Sequence, residues 1–194
     1  MSNFWKNIWD SKGMSESKDL LFLDGYEHLE TPIDSKLICS KLVQFLGIER
    51  GESLLEVGCG AGFLSKELNF KYDYIGVDYS SPLVKKHLEL FPNHKIKCSE
   101  AVNLPFPDDS LDYAFCFGVY QYLPDFNYAL KMISEMERVS KKSIILGDLK
   151  ETATRDQHLP CPKEQMIRLD FQIIDSFYEI DDCSRYNAFK KLTR

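Results

Sequence analysis

Three glycines follow a short apolar run and are spaced so that they could cradle a ligand. The run SLLEV, residues 53–57, predicts a strand, and Gly58, Gly60 and Gly62 come directly after it, before a helical pattern begins. Glycines let the backbone approach a ligand closely, and open α/β sheets bind ligands at the carboxyl ends of their strands. The pattern therefore predicts a nucleotide-like cofactor at this turn.

The spacing of the glycines distinguishes two classes of cofactor. A dinucleotide-binding turn of the form G-x-G-x-x-G requires a glycine at position 63, where this chain has Phe63. Glu56 instead stands two residues before Gly58 and gives the pattern E-x-G-x-G-x-G. An NAD(P)-dependent oxidoreductase is therefore an alternative that the sequence disfavours.

Strand and helix patterns alternate around this turn. Strands are predicted at 53–57, 74–77, 95–98, 111–117 and 143–147, and helices at 31–47, 62–70, 83–91 and from 124 or 125 to 139. Such alternation predicts parallel βαβ units with right-handed crossovers. Residues 171–180 and 185–192, separated by a short polar stretch, predict a hairpin. The expected fold is α/β: a Rossmann-like doubly wound sheet, mostly parallel with an antiparallel C-terminal hairpin.

Four segments, in order, resemble class I S-adenosylmethionine-dependent methyltransferases. They are the glycine turn LLEVGCGAG (54–62), VDYS (77–80), SEAVNLPF (99–106) and LDYAF (111–115). The joint match is specific, whereas the glycine turn alone would be weak. The resemblance covers roughly residues 54–149, and the C-terminal hairpin also matches the sheet of that family. It implies S-adenosylmethionine as the cofactor and methyl transfer to a small acceptor as the reaction.

The resemblance also implies which residues face the nucleoside part of the cofactor. A ribose presents two neighbouring hydroxyls, and Asp78, after the second strand, is expected to accept hydrogen bonds from both. Tyr79 is expected to supply an apolar face for the adenine. Glu100 is expected to accept from the adenine amino group, and the Ala101 amide to address a ring nitrogen. Many relatives carry Asp at the position of Glu100.

The methionine end of the cofactor is zwitterionic and carries a sulfonium. Its amine needs acceptors and its carboxylate needs donors, and Glu56 is expected to order the turn that offers them. Backbone groups of this turn and of the fourth strand form the expected set: Gly58, Cys59, Gly60, Gly62 and Phe117. Aromatic faces suit a sulfonium cation, and the candidates are Trp5, Trp9, Tyr26, Tyr120 and Tyr122.

A general base is required only if the acceptor begins protonated. His158 follows the fifth strand at the ligand-binding edge and is the candidate catalytic residue, with Asp148 as an alternative and a plain surface histidine as the competing interpretation. His28 is expected to be structural, and His87 and His94 are expected to be solvated. Asp112 is also expected to be structural. No cluster of His, Cys and Asp has metal-ligand spacing, so no metal is predicted.

Composition indicates one domain that is unsuited to nucleic acid or an anionic membrane as a partner. The chain has 194 residues, with 24 basic and 30 acidic side chains and a formal net charge of −6. That balance disfavours nucleic acid and anionic membranes as partners. We expect a single methyltransferase domain over residues 1–194, in which 1–30 form an N-terminal lid and acceptor region and 31–194 the core.

The remaining expectations concern location and acceptor. The cysteines lack a C-x-x-C pair and are expected to be reduced and buried, as in a cytoplasmic protein: Cys39, Cys59, Cys98, Cys116, Cys161 and Cys183. Residues 4–28, 120–127 and 148–163 are expected to shape the acceptor pocket for a small polar molecule. The N-terminal region resembles bacterial methyltransferases of surface-polysaccharide or small-metabolite modification. A non-catalytic methyltransferase-like partner subunit is the second alternative.

Overall fold

A computed structural model describes residues 3–27, 29, 33–153, 155–177 and 185–193. Its strands are β1 (Ser53–Val57), β2 (Asp73–Asp78), β3 (Ile96–Cys98), β4 (Leu111–Phe117), β5 (Ser140–Lys150), β6 (Gln172–Asp175) and β7 (Arg185–Lys191). They form one sheet in the order β3-β2-β1-β4-β5-β7-β6. β1 to β5 pair in parallel, whereas β7 runs antiparallel to both β5 and β6. The predicted fold is confirmed.

Helices connect the strands and cover both faces of the sheet. They are α1 (Asn3–Met14), α2 (Leu20–Leu23), α3 (Ser35–Leu46), α4 (Ser65–Leu68), α5 (Ser81–Leu90), α6 (Phe126–Val139) and α7 (Lys163–Arg168). Ser80 caps α5, because its side chain accepts a hydrogen bond from the amide of Leu83. Asp125 likewise caps α6 through the amide of Tyr128. Both caps satisfy amides that a first helical turn leaves without partners.

Several element boundaries differ from those predicted. α3 begins at Ser35 and is capped by Asp34, whose carboxylate accepts from the amides of Lys36 and Leu37. Residues 31 and 32, where this helix was predicted to begin, lie outside the described residues, as do residues 181–184 between the predicted hairpin strands. The helix predicted at 62–70 is the single turn α4, and the run 143–147 is only the centre of the longer β5.

The hydrophobic core lies on both faces of the sheet, because neighbouring residues of a strand point in opposite directions. Leu55 packs on the side of α6, and Leu54 on the side of α3. The apolar cluster on the α6 side includes Leu55, Val57, Ala114, Met132 and Ile144, and the cluster on the α3 side includes Ile38, Leu42, Leu54, Phe115 and Ile145.

A side-chain link fixes the start of β1 against β4. Asp112 accepts from the amide and the hydroxyl of Ser53, and the Asp112 amide donates back to that hydroxyl. The structural role expected for Asp112 is confirmed. Within the described ranges, the helices are all too short or too polar to cross a bilayer.

Candidate cofactor and acceptor site

A cavity opens where β1, β2 and β4 end side by side. It encloses about 1100 Å³ of space, part of it open to solvent. Gly62 does not line it, although it belongs to the predicted set. The predicted cofactor residues that do line the cavity are Glu56, Gly58, Cys59, Gly60, Asp78, Tyr79, Glu100, Ala101 and Phe117. The sequence therefore identified the strand ends and loops that surround this space.

The amides of the glycine turn are engaged within the protein. Those of Gly58 and Cys59 donate to the carbonyl of Val77, at 2.8 and 3.0 Å. The Gly60 amide donates to Asp78 Oδ2 at 3.0 Å. The carbonyl of Gly60 is 2.8 Å from His87 Nδ1. Gly58 and Gly60 thus offer a surface without side chains, and not the free amide donors that we expected for a ligand.

A cavity residue that sequence reasoning missed, Asp24, holds two further amides of this region. Asp24 Oδ1 accepts from Ala61 at 2.6 Å, and Oδ2 accepts from Phe63 at 2.8 Å. A Cβ atom at Gly60 would overlap Asp24 Oδ1, so glycine is required there for the close approach. Asp24 precedes Gly25, and this pair suggests only a turn, so no sequence signal links Asp24 to residues so distant in the chain.

Asp78 is positioned by backbone amides at the end of β2. Its side chain is 7% exposed, and Oδ1 accepts from the Ser80 amide at 2.9 Å while Oδ2 accepts from Gly60. Each carboxylate oxygen has two lone pairs, so both retain the capacity for a further hydrogen bond. Asp78 therefore has the geometry of a preorganised acceptor for a diol.

Four carboxyl groups line this cavity, and Asp24, Glu56 and Asp78 form an acidic wall at the glycine turn. Burial raises the pKa of Asp24 to about 7 and that of Asp78 to about 6. Burial also raises the pKa of Glu56 well above its usual value, although Tyr74 donates a hydrogen bond of 2.5 Å to its carboxylate. Of the described residues that line the cavity, Lys6 alone is cationic, and it pairs with Asp10 at 2.8 Å. Such a wall favours a ligand that carries positive charge.

The far end of the cavity has the features expected for an adenine site. Tyr79 and Ala101 line it, and Lys6 Nζ lies 5.5 Å from the centre of the Tyr79 ring. Glu100 Oε2 accepts a hydrogen bond of 2.6 Å from the hydroxyl of Tyr128. The sequence analysis did not predict that Tyr128 belongs to the site, although it lies on the first turn of α6, whose start was predicted.

The loop that carries Glu100 and Ala101 is anchored by an arginine. Arg138 donates to the carbonyls of Leu104 and Phe106, at 3.1 and 2.8 Å. The same guanidinium pairs with Glu135, which accepts from the Leu104 amide at 2.8 Å. These bonds fix the course of the loop from outside the cavity.

Aromatic side chains roof the cavity. Trp5 and Trp9 of α1 contact Tyr122 edge to face, with ring centres 4.7 and 5.0 Å apart. These three rings and Tyr26 line the cavity, as predicted for a sulfonium. Tyr120 was wrongly included in that prediction, because its side chain is 3% exposed and packs in the core between the sheet and α6.

His158 lies behind this roof and is not part of the described lining. Its ring stacks on Trp5, with centres 5.2 Å apart, and meets Tyr122 edge on at 5.4 Å. It is 8% exposed, so it is not a surface histidine. Asp148, the alternative base, is also buried and forms an ion pair with Arg185. Both side chains lie close to the roof, and neither is among the described residues that line the cavity.

Two histidines expected to be solvated are buried beneath the glycine turn. His87 is fully buried and His94 is 6% exposed. Their ring nitrogens lie 3.1 Å apart, and both are within 3.2 Å of Ser65 Oγ. Burial lowers the pKa of His87 to about 4 and also lowers that of His94. The expectation failed although His87 follows Leu83 and Val84 on one face of α5, a spacing that indicates burial.

Most of the described cysteines are buried, as the sequence suggested. Cys39, Cys59, Cys116 and Cys161 are buried free thiols, as expected, whereas Cys98 is exposed because it ends the edge strand β3. Cys183 and His28 lie outside the described residues.

Across the described part of the chain, His, Cys, Asp and Glu side chains form no group of three or more suited to a metal ion.

The residues present fit S-adenosylmethionine. This cofactor carries a ribose diol, an adenine, an ammonium group and a sulfonium. The cavity provides Asp78 beside the glycine turn, Tyr79 and Glu100 at one end, and aromatic faces at the other. The negative charge of the cavity's carboxyl groups is balanced only in part by Lys6, and a ligand with positive charge would balance it further.

Comparison with known proteins identifies the central segment. Residues 55–146 match the family described as a methyltransferase domain. Demethylmenaquinone methyltransferase of Staphylococcus aureus (strain MRSA252) is 32% identical over 108 residues, which cover 52% of this chain and 44% of that relative. The chain thus matches less than half the length of that curated relative.

Solved structures with low identity share the fold. A SAM-dependent methyltransferase from Aquifex aeolicus has a TM-score of 0.59 at 20% identity, over 84% of this chain and 100% of that one. Phosphoethanolamine N-methyltransferase 1 of Haemonchus contortus, in complex with phosphoethanolamine and S-adenosylhomocysteine, has a TM-score of 0.75 at 12% identity, over 97% of this chain and 48% of that one. The two comparisons agree: residues 55–146 match a methyltransferase domain, and the chain has the fold of solved S-adenosylmethionine-dependent methyltransferases.

Proposed function

We propose that this protein transfers the methyl group of S-adenosylmethionine to an oxygen or nitrogen of a small polar acceptor. The observation that carries the proposal is the cavity at the strand ends, where Asp24, Glu56 and Asp78 meet an aromatic roof. S-adenosylmethionine supplies a methyl group already activated by its sulfonium. The protein therefore has to place the acceptor and exclude water, and the aromatic roof supports both tasks.

The roles of the cofactor residues follow from their positions. Asp78 accepts from the ribose, Tyr79 covers the adenine, and Glu100 with the Ala101 amide addresses its polar edge. Glu56 orders the turn through its bond with Tyr74. Gly58, Cys59, Gly60 and Phe117 border the methionine end, while Gly62 supports the turn from outside the cavity.

The acceptor enters beside the roof formed by α1 and the turn at Tyr120–Tyr122. The relatives differ in what they methylate: one is named for demethylmenaquinone, and a solved neighbour holds phosphoethanolamine. We propose a small polar molecule, in surface-polysaccharide or small-metabolite modification, because the nearby loops are polar and charged. The net charge of −6 supports an acceptor other than nucleic acid.

The need for a base depends on the acceptor. A hydroxyl acceptor requires a group that takes its proton, and we propose His158 for that role. The candidate Asp148 is held by Arg185, so it is the less available of the two. An acceptor that is already ionised, such as a carboxylate, requires placement alone.

The whole chain is proposed to act as one unit in the cytoplasm. Residues 1–30 provide the lid and acceptor region, and 31–194 the core. The contacts of α1 with the roof support this division. The free thiols of Cys39, Cys59, Cys116 and Cys161 support a reducing compartment.

A binding and transfer experiment tests the proposal. Calorimetric titration should give one S-adenosylmethionine site per chain and no heat with NAD. A mixture of candidate small acceptors, incubated with methyl-labelled cofactor, should then yield one labelled product by mass spectrometry. Binding of NAD in place of S-adenosylmethionine would support an oxidoreductase, and cofactor binding without transfer to any acceptor would support a non-catalytic subunit.

A further inference from the structure

We propose that Asp24 is a positioning residue that ties the N-terminal segment to the glycine turn, so that cofactor binding and closure of residues 3–27 over the cavity are one coupled event. The inference rests on the cofactor site proposed above. It concerns a residue that neither touches the reacting atoms nor belongs to the matched family segment, which begins at residue 55.

The side chain of Asp24 joins two parts of the protein that are distant in sequence. Its two oxygens accept separately from Ala61 and Phe63, at 2.6 and 2.8 Å. Charged hydrogen bonds of this length are stronger than neutral ones. α4 gains no side-chain cap from its own N-cap residue, Leu64. Asp24 therefore satisfies the amides that lead into α4, which would otherwise be buried without partners.

The backbone of Asp24 fixes the same residue to α2. Its amide donates to the carbonyls of Leu20 and Phe22 at the end of that helix. Leu23, which is fully buried, packs in one cluster with Ala61 of the turn and Leu83 of α5. Movement of α2 away from the turn would therefore break both bonds to Asp24 and this apolar contact together.

α1 continues the same segment across the other half of the cavity. Asp10 accepts a hydrogen bond of 2.7 Å from Ser80, two residues after Asp78. The indole of Trp5 donates to the Gln157 carbonyl at 3.0 Å. The segment is thus held at the glycine turn, at the ribose side and at the roof, so its movement would disturb contacts on three sides of the cavity.

This geometry requires an acceptor at each side-chain oxygen of Asp24. Both of its partners are N–H donors, so both side-chain oxygens must be acceptors. An asparagine of the same shape would place an amide N–H against one of these donors. The Asp24→Asn change thus removes one bond and introduces a donor–donor contact while keeping the volume of the side chain.

Hydrogen–deuterium exchange with mass spectrometry, with and without S-adenosylhomocysteine, tests the coupling. In the wild type, saturating ligand should slow exchange in residues 3–23 as well as in 58–64. In Asp24→Asn the calorimetric dissociation constant should rise roughly tenfold to a hundredfold. Residues 3–23 should then exchange as fast at saturating ligand as without it, which loss of a purely local cap would not cause.

Asp19→Asn is the matched control, because Asp19 lies in the same segment and caps α2 through the Leu21 amide, but is exposed and does not contact the turn. It should keep the wild-type affinity and the ligand-induced slowing. If Asp24→Asn does not fold, Asp24→Ser, which can accept from one amide, is tested in the same way.

Two results would overturn the inference. A folded Asp24 variant with wild-type affinity and full protection of residues 3–23 overturns this inference and leaves the cofactor site standing. A wild-type protein that binds neither S-adenosylmethionine nor S-adenosylhomocysteine overturns both together.

Discussion

Asp78 Oδ2 lies 3.0 Å from the amide of Gly60, so the carboxylate that ends β2 also fixes the turn that follows β1. The neighbouring pairing of Val57 with Val77 brings the ends of these strands together. One side chain thus positions two neighbouring parts of the cavity wall. A change at Asp78 is expected to affect both.

Replacement of Asp78 by Ala should weaken S-adenosylmethionine binding by about 2 to 4 kcal/mol, because two charged hydrogen bonds to the ribose are lost and water replaces them in part. Asp78 is 7% exposed and holds two amides, so we also expect a lower melting temperature. Calorimetry and thermal unfolding measure the two effects.

The matched control for Asp78 is Asp73, at the opposite end of the same strand. Asp73 is exposed and pairs with Lys95, so Asp73→Ala should leave cofactor affinity unchanged. Equal affinity of the Asp78→Ala variant and the wild type would move the ribose site elsewhere in the cavity.

Cofactor affinity should fall as the pH is lowered. The pKa of Asp24 is about 7 and that of Asp78 about 6, so both take up protons in the free protein between pH 7.5 and 5.5. A cationic ligand favours the ionised carboxylates, and binding must then release those protons. The dissociation constant should rise roughly tenfold to a hundredfold over this range. A constant value from pH 7.5 to 5.5 would show that the acidic wall does not sense the ligand's charge.

The free protein should lose stability as the pH rises from 6.5 to 8. Because folding raises the pKa values of Asp24 and Asp78, their contribution to stability is fully present only below their unfolded pKa values, near 4. This contribution is lost as the pH rises through the folded pKa values of about 6 and 7. His87, whose pKa is lowered to about 4, acts in the opposite direction but only below pH 6.5. Thermal unfolding without ligand should show the decrease, and the cofactor-induced rise in melting temperature should grow. A melting temperature of the free protein that increases over this range would contradict the assignment.

The fold was predictable because strand and helix patterns are local. SLLEV matched β1 residue for residue, and the helix predicted at 83–91 corresponds to α5 at Ser81–Leu90. The helix α1 was missed, although Trp5, Ile8, Trp9 and Lys12 repeat at helical spacing. Aromatic residues in a polar stretch suggested a lid without suggesting its structure.

The site was predictable only where chemistry and position coincide in the sequence. Asp78 and Glu100 follow strands, so the topology of the sheet brings them to the cavity. Asp24 and the buried pair His87 and His94 depend on contacts between distant segments, which one sequence does not encode in any local pattern. A helical face that includes Leu83 and Val84 could have indicated the burial of His87 alone.

The last prediction concerns His158, which stacks on Trp5 and touches the edge of Tyr122. This contact allows two roles, a general base for a hydroxyl acceptor and an aromatic support for the roof. His158→Phe separates them, because phenylalanine keeps an aromatic ring for stacking but has no nitrogen that can take a proton. If His158 is the base, the Ala and Phe variants should both bind cofactor normally.

Both variants should also lose roughly a hundredfold to ten-thousandfold in turnover, the usual range for general-base catalysis. Their pH–rate profiles should lose the inflection of a histidine, which has an unperturbed pKa of about 6.5. If the His158→Phe variant keeps a turnover near the wild-type value and only His158→Ala is impaired, His158 is an aromatic support for the roof. Because the other proposed base, Asp148, is held by Arg185, that outcome would favour an acceptor that is already ionised and is activated by placement alone.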